Sequence, residues 1–196
     1  MKTLIERIVE DEQSVAFVAG DSFLLAYPEF LRYFQDLVHI ERHHLVIAAN
    51  FTYGWMPTML RFKTEDIETA ADVLNRAKSE EMISNQDILC LTHLVNNSLV
   101  GASKLLHFVN PRRYSIWDSR VYRYLHGGFS LYQLQRLRNY LAYLEVCRET
   151  IAHPTFGSVN TSINRKVGYA VTPMRAVELV MFMSSARQGI PEMEAV

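Results

Sequence analysis

GASKLLHFVNPRRYSIWDSRVYRYL, residues 101–125, decides how this chain is to be read. It holds Lys104, one of only five lysines, and Asp118 fourteen residues later between Trp117 and Ser119. Arg112, Arg113, Arg120 and Arg123 crowd the same stretch. A tight turn, Ser98-Leu99-Val100-Gly101, precedes a short helix that must stop before Pro111, because proline disfavours helix at the residue before it. The reading places Lys104 in the first turn of that helix. There, free backbone N–H groups face any docking anion, and the positive helix end disfavours an ammonium. A lysine placed for solubility would sit at the other end, so the position suits nucleophilic chemistry. An apolar run at 114–117 then leads to Asp118. As N-cap of a helix ending at Gly127-Gly128, Asp118 has a structural role open to it beside a chemical one.

Outward from this stretch the apolar periodicity is mostly helical. Residues 2–9 are amphipathic. Residues 21–49 read as one or two helices interrupted near Pro28. Thr64 starts a helix with Ile67, Ala70, Ala71, Val73, Leu74 and Ala77 on one face. Ser84 with Asp87 forms a capping box that opens another. Ser130 caps a long helix to about Glu149, residues 153–171 read as loop, and Thr172-Pro173 opens the last helix. Strand signals are confined to residues 45–47 and 114–117. The expected fold class is all-α, in a single domain of residues 1–196. It has two possible helical lobes around a cleft: 1–80, and 81–196 carrying the hairpin.

The net charge of −1 conceals an asymmetry. Residues 101–175 carry eleven Lys/Arg and three Asp/Glu; the rest carry nine and eighteen. Fifteen of the twenty bases are Arg, which suits bidentate phosphate contacts. A polyanion partner follows, unless the two halves fold together and interleave their charges. No stretch approaches the roughly 18 apolar residues of a membrane helix, and the charged N-terminus is not a signal peptide. Cys90 and Cys147 make no disulfide framework and suit a reduced, cytoplasmic setting.

"LVGASKLLHFVNP…YSIWDSRVYRYL" resembles the core of the helix-hairpin-helix DNA glycosylases, most of all a compact bacterial branch related to 8-oxoguanine DNA glycosylase. In that superfamily a hairpin with glycines precedes a catalytic lysine. After a short helix, an apolar segment ends in a catalytic aspartate that caps the next helix. The resemblance, over about 97–125, makes Lys104 the lysine, Asp118 the aspartate and Gly101 a hairpin glycine. Gly101 stands alone where the family has two, and the Lys-to-Asp spacing is about one helical turn shorter. The resemblance implies a DNA partner and a base turned out of the stack. Lys104 would displace the base and form a Schiff base, with Asp118 stabilising positive charge on the sugar or deprotonating the lysine. It implies no cofactor, no metal, and a cytoplasmic, nucleoid-associated protein of base excision. The candidate substrate is an oxidised purine, with a modified or foreign phage base as the alternative.

Around this pair, Ser103, His107, Arg112, Arg113, Arg120, Arg123, Arg165 and Lys166 are candidates for holding nucleic acid. Trp55, Phe108 and Trp117 are candidates for walling a base pocket, with Met56 beside Trp55. Each aromatic has a core role open to it, and His107 that of a hydrogen-bonded core histidine. His39 and His43 stand at i, i+4 in HIERHH, but Glu41 is misplaced for a zinc-protease motif and a third ligand is missing. The alternative to an enzyme is a non-catalytic nucleic-acid-binding module of a toxin, phage-defence or anti-defence system.

Overall fold

The computed structural model describes residues 2–18, 20–55, 59–63 and 66–187. Its described residues form eleven helices: α1 (Leu4–Ser14), α2 (Ser22–Asp36), α3 (Arg42–Gly54), α4 (Ile67–Lys78), α5 (Asn85–Leu94), α6 (Leu99–Val109), α7 (Ser119–His126), α8 (Leu131–Leu134), α9 (Leu137–Ala152), α10 (Phe156–Val167) and α11 (Pro173–Arg187). The all-α class is therefore observed. A single antiparallel bridge, Phe62 to Val95, is the extended pairing among the described residues. No described helix is long and apolar enough to cross a membrane.

The chain divides into two compact units, and not at residue 80. One is contiguous, Ser22–Asn110, and holds α2 to α6; residue 80 lies inside it, between α4 and α5. The other joins the chain up to Asp21 with the chain from Pro111 through α11. Each is built around one central helix. In the contiguous unit α2, α3, α4 and α5 all pack on α6. In the other, α1, α7, α9 and α10 all pack on α11.

In the contiguous unit, Pro28 does not interrupt α2. Phe23, Tyr27, Phe30 and Phe34 recur along one face of the helix, and their rings meet those of Phe51, Trp55 and Phe108. Burying several aromatics at about 1.5–3 kcal/mol each outweighs the roughly 3 kcal/mol that an interior proline costs. Residues 45–47 are helical, since Leu45, Ala48, Ala49, Thr52 and Tyr53 bury at helical spacing. Only α3's β-branched pair Val46-Ile47 had the look of a strand. On α4 the six expected apolar residues are all buried. Thr64 lies outside the described residues, and Asp66 is the N-cap observed. Ser84 and Asp87 form their capping box on α5, and Asp87 also pairs with Arg76 at 2.6 Å.

In the other unit, α7 runs from its Asp118 cap to Gly127, which ends it at φ 72°. The helix expected from Ser130 is broken into α8 and α9 by a turn at 135–136. Residues 114–117 form no strand and no helix. The expected loop at 153–171 is mostly α10, with Phe156, Val159 and Ile163 buried at helical spacing. α1 joins this unit through Ile8, which is buried, and through Lys166, whose ammonium lies 2.5 Å from the Glu12 carboxylate.

Candidate functional site

Nine of the eleven residues of α6 are buried, as befits the central helix of its unit. The other two, Val100 and Lys104, stand one turn apart and reach the surface partly. The helix begins at Leu99 with Ser98 as N-cap, so Lys104 is its sixth residue, a turn later than expected. The influence of free N–H groups has largely decayed by that point. One neighbour of the amine is aromatic. The Lys104 ammonium lies over the Trp55 indole, 5.4 Å from the ring centroid. Trp55 is itself stacked on Phe23, centroids 4.3 Å apart and rings 5° from parallel. Elsewhere Lys2 pairs with Glu10, Lys166 with Glu12, Lys63 reaches His93, and Lys78 bonds the Phe34 carbonyl. Phe23 was not singled out in the sequence, although its spacing with Tyr27, Phe30 and Phe34 is the signal that finds it.

The connection from α5 to α6 takes its sharp turn through Asn96 and Asn97, at φ 59° and 50°. Asparagine tolerates this left-handed region better than most residues. Gly101 is not the turning residue. It lies inside α6, and a Cβ there would sit 2.6 Å from the Tyr53 hydroxyl, so the glycine admits α3 to α6. Its N–H donates to the Ser98 hydroxyl at 3.1 Å. The Ser98 N–H donates to the Val95 carbonyl at 2.9 Å. The Asn96 amide bonds the 59–61 segment, accepting from the Arg61 N–H at 2.6 Å and donating to the Met59 carbonyl at 2.8 Å. These groups are engaged within the protein.

Three more candidates on α6 are core residues. Ser103 is fully buried and its hydroxyl donates to the Val100 carbonyl at 2.8 Å. His107 is fully buried with Nε2 2.8 Å from the Tyr27 hydroxyl. Phe108 is buried within the aromatic cluster, its ring 5.2 Å from that of Trp55. None presents a surface to nucleic acid or to a flipped base. Trp55 is half-exposed at the edge of this cluster, while Met56 lies outside the described residues.

Asp118 belongs to the other unit. It is buried, and its Oδ1 accepts from the N–H groups of Arg120 (3.0 Å) and Val121 (2.9 Å). This is the cap foreseen as its structural role. Trp117, beside it, is fully enclosed with its indole N–H donating to the Leu134 carbonyl at 2.8 Å, so it is no stacking surface. Arg123 is buried with its guanidinium 4.8 Å over Phe129. Arg120 is half-buried over Phe182, at 4.4 Å. Arg113 is half-buried, whereas Arg112 and Arg165 are exposed. Lys166 is tied to Glu12. The exposed bases of this unit thus include Arg112, Arg138 and Arg165.

The charge asymmetry is reduced by the fold. The unit containing the basic block also receives the acidic α1, and the whole unit carries thirteen Lys/Arg against ten Asp/Glu. Asp11 accepts from the Tyr124 hydroxyl at 2.7 Å, and Arg7 donates to the Tyr124 carbonyl at 2.7 Å. The interleaving of charges is therefore partly realised.

An open groove on the contiguous unit is lined by Asp66, Asp87, Cys90 and His93. It presents carboxylates, which repel a phosphate backbone. Burial pushes the Cys90 thiol up, so the groove offers no ready thiolate. His39 precedes α3 and lies 3.3 Å from the Asn75 amide nitrogen, so it does not share a helix with His43.

No protein-family model matches this chain, and no curated protein or solved structure is significantly similar to it. The class that the fold itself defines is an all-helical protein of two units, each wrapped around one central helix.

Proposed function

We propose that the chain is a DNA glycosylase and abasic-site lyase in which Lys104 is the nucleophile, acting on a damaged or modified base, an oxidised purine foremost. One observation carries the reading. Lys104 is a half-buried lysine on a helix that is otherwise almost wholly buried, with its ammonium over the Trp55 indole. A lysine there contributes little to solubility, and a partly desolvated amine is the form that nucleophilic chemistry uses. The helix pair joined by a tight turn, the turn's place before Lys104, and Asp118 as cap of α7 agree with the helix-hairpin-helix resemblance. In the proposed reaction the Lys104 amine attacks the anomeric carbon, and the base leaves with the glycosidic electron pair and takes up the proton that the amine loses; the bond from the anomeric carbon to the ring oxygen then breaks, that oxygen is protonated from water, and an iminium joins lysine to sugar. The resemblance assigns the stabilisation of positive charge on the sugar to Asp118.

A second reading, a non-catalytic nucleic-acid-binding module, is favoured by different residues. Asp118 is committed to a cap, and Phe108 and Trp117 are committed to the core. Borohydride trapping separates the two. The protein is mixed with duplex and single-stranded DNA carrying an abasic site or 8-oxoguanine, and borohydride reduces any iminium to a stable adduct. The glycosylase reading expects a covalent band that Lys104→Gln abolishes while affinity survives. DNA binding with no band on any of these substrates favours the module. No band and no binding sinks both.

A further inference from the structure

We propose that Glu41, His43 and His44 form a surface site for a divalent transition-metal ion of the imidazole-binding class, such as Zn2+ or Ni2+. Ligand atoms of all three lie within 4.8 Å of one another, and among the described residues no other trio of His, Cys, Asp or Glu does so. The convergence is unusual for this spacing. Successive residues of a helix diverge by about 100°, so neighbouring histidines ordinarily face apart. Here the rings of His43 and His44 stand with centroids 3.7 Å apart.

The start of α3 explains it. Glu41 is the N-cap and has extended backbone, at φ −98° and ψ 170°, which lets its carboxylate turn back to His43. Glu41 Oε2 and His43 Nδ1 lie 3.3 Å apart. Two donors on a tetrahedral zinc with bonds of 2.0–2.1 Å would be separated by about the same distance. His44 is held from two sides. The Glu41 N–H donates to its Nδ1 at 3.1 Å, and the Tyr33 hydroxyl donates to its carbonyl at 3.1 Å. Arg42, the cation between the ligands in sequence, makes its ion pair with Glu68 at 3.8 Å.

Two imidazoles and one carboxylate suit zinc, nickel or copper; calcium and magnesium prefer oxygen alone. Three protein ligands leave an open position, and His43 and Glu41 are 62% and 63% exposed, so the ion would keep solvent or an outside ligand. Ligation by His44 through Nδ1 replaces the bond from the Glu41 N–H. The site is accordingly weaker than a closed structural zinc site.

The test is titration of the whole chain with Zn2+ by calorimetry and with Co2+ by visible absorption. His43→Ala, Glu41→Gln and, as a control for exposed histidine, His153→Ala run in parallel. The expected result is one ion per chain, with affinity reduced by about tenfold or more in the first two variants and unchanged in the third. The altered side chains are exposed, so helix content by circular dichroism should match the parent. No uptake by the parent chain, or equal uptake by all four proteins, would overturn the proposal.

Discussion

The Tyr53 hydroxyl fills the space that a side chain at Gly101 would need, 2.6 Å from the position of its Cβ, while donating to the Val95 carbonyl at 2.9 Å. A glycine inside a central helix is thus explained by the approach of α3, and burial pushes the Tyr53 phenol up to about 12. Gly101→Ala should destabilise the chain by about 1–3 kcal/mol, the cost of overpacking. Adding Tyr53→Phe should relieve part of that loss, so the double variant loses less than the sum of the singles. Urea unfolding of the four proteins checks this; strict additivity would refute the contact.

Arg76 grips both oxygens of Asp87 at 3.1 and 2.6 Å, and this pairing holds the carboxyl down at about 2. A lowered folded value means that the stabilisation is complete above the unfolded value of about 3.9 and is lost as pH falls toward 2. The pair is partly exposed, so about 1–2 kcal/mol is at stake after screening. Asp87→Asn should therefore be less stable than the parent at pH 7. The gap should close by about pH 2 in denaturant titrations.

At the alkaline end the direction reverses. Burial pushes Cys147 up to about 12, and pushes Tyr124, Tyr140 and Tyr143 well above their ordinary value. Raised folded values leave stability intact below the unfolded values, about 8.5 for a thiol and 10 for a phenol, and remove it above them. The urea midpoint should fall steeply above pH 10. Tyr140→Phe removes one of these groups and should make that fall shallower.

Arg175 and Glu178 are both about 1% exposed and hydrogen-bond each other one turn apart on α11. Breaking such a pair from one side leaves a buried charge behind. Arg175→Met should cost about 3–5 kcal/mol, and Arg175→Met with Glu178→Leu should cost less than Arg175→Met alone. Thermal unfolding of the three proteins orders them.

If DNA is the partner, its affinity should fall with salt in proportion to the phosphates contacted. Arg112→Ala and Arg165→Ala, both at exposed positions, should each lower the log–log salt slope by about 0.9. Lys166→Ala should instead cost stability and leave the slope unchanged, because its ammonium is spent on Glu12. Filter binding across a salt series tells these apart.

Local signals were legible wherever a residue acts within its own helix. The six apolar positions of α4, the Ser84–Asp87 box, the Asp118 cap and the Gly127 stop all read directly from spacing and capping chemistry. What failed depended on distant partners. α10 carries Ser158, Asn160, Thr161 and Ser162 on its wetter positions, which hid the Phe156, Val159, Ile163 stripe that it buries. Pro28 has the local signature of a break, because nothing nearby in sequence announces the rings of Phe51, Trp55 and Phe108 that hold α2 together. For Ser103, polar type suggests a surface role, and only the packing of four helices on α6 encloses it; His107 takes the core role that the sequence leaves open to it.

The placement of α1 imposes a timetable on synthesis. Ile8 finds its cover only in a unit whose remaining helices begin after residue 110. At roughly 5–20 residues per second, α1 emerges on the order of ten seconds before α10 and α11 exist to receive it. The stretch Ser22–Asn110 needs no such wait, since every helix packed on α6 lies within it. Ser22–Asn110 can therefore close around α6 while the amphipathic α1 stays uncovered, an interval in which α1 is open to a chaperone.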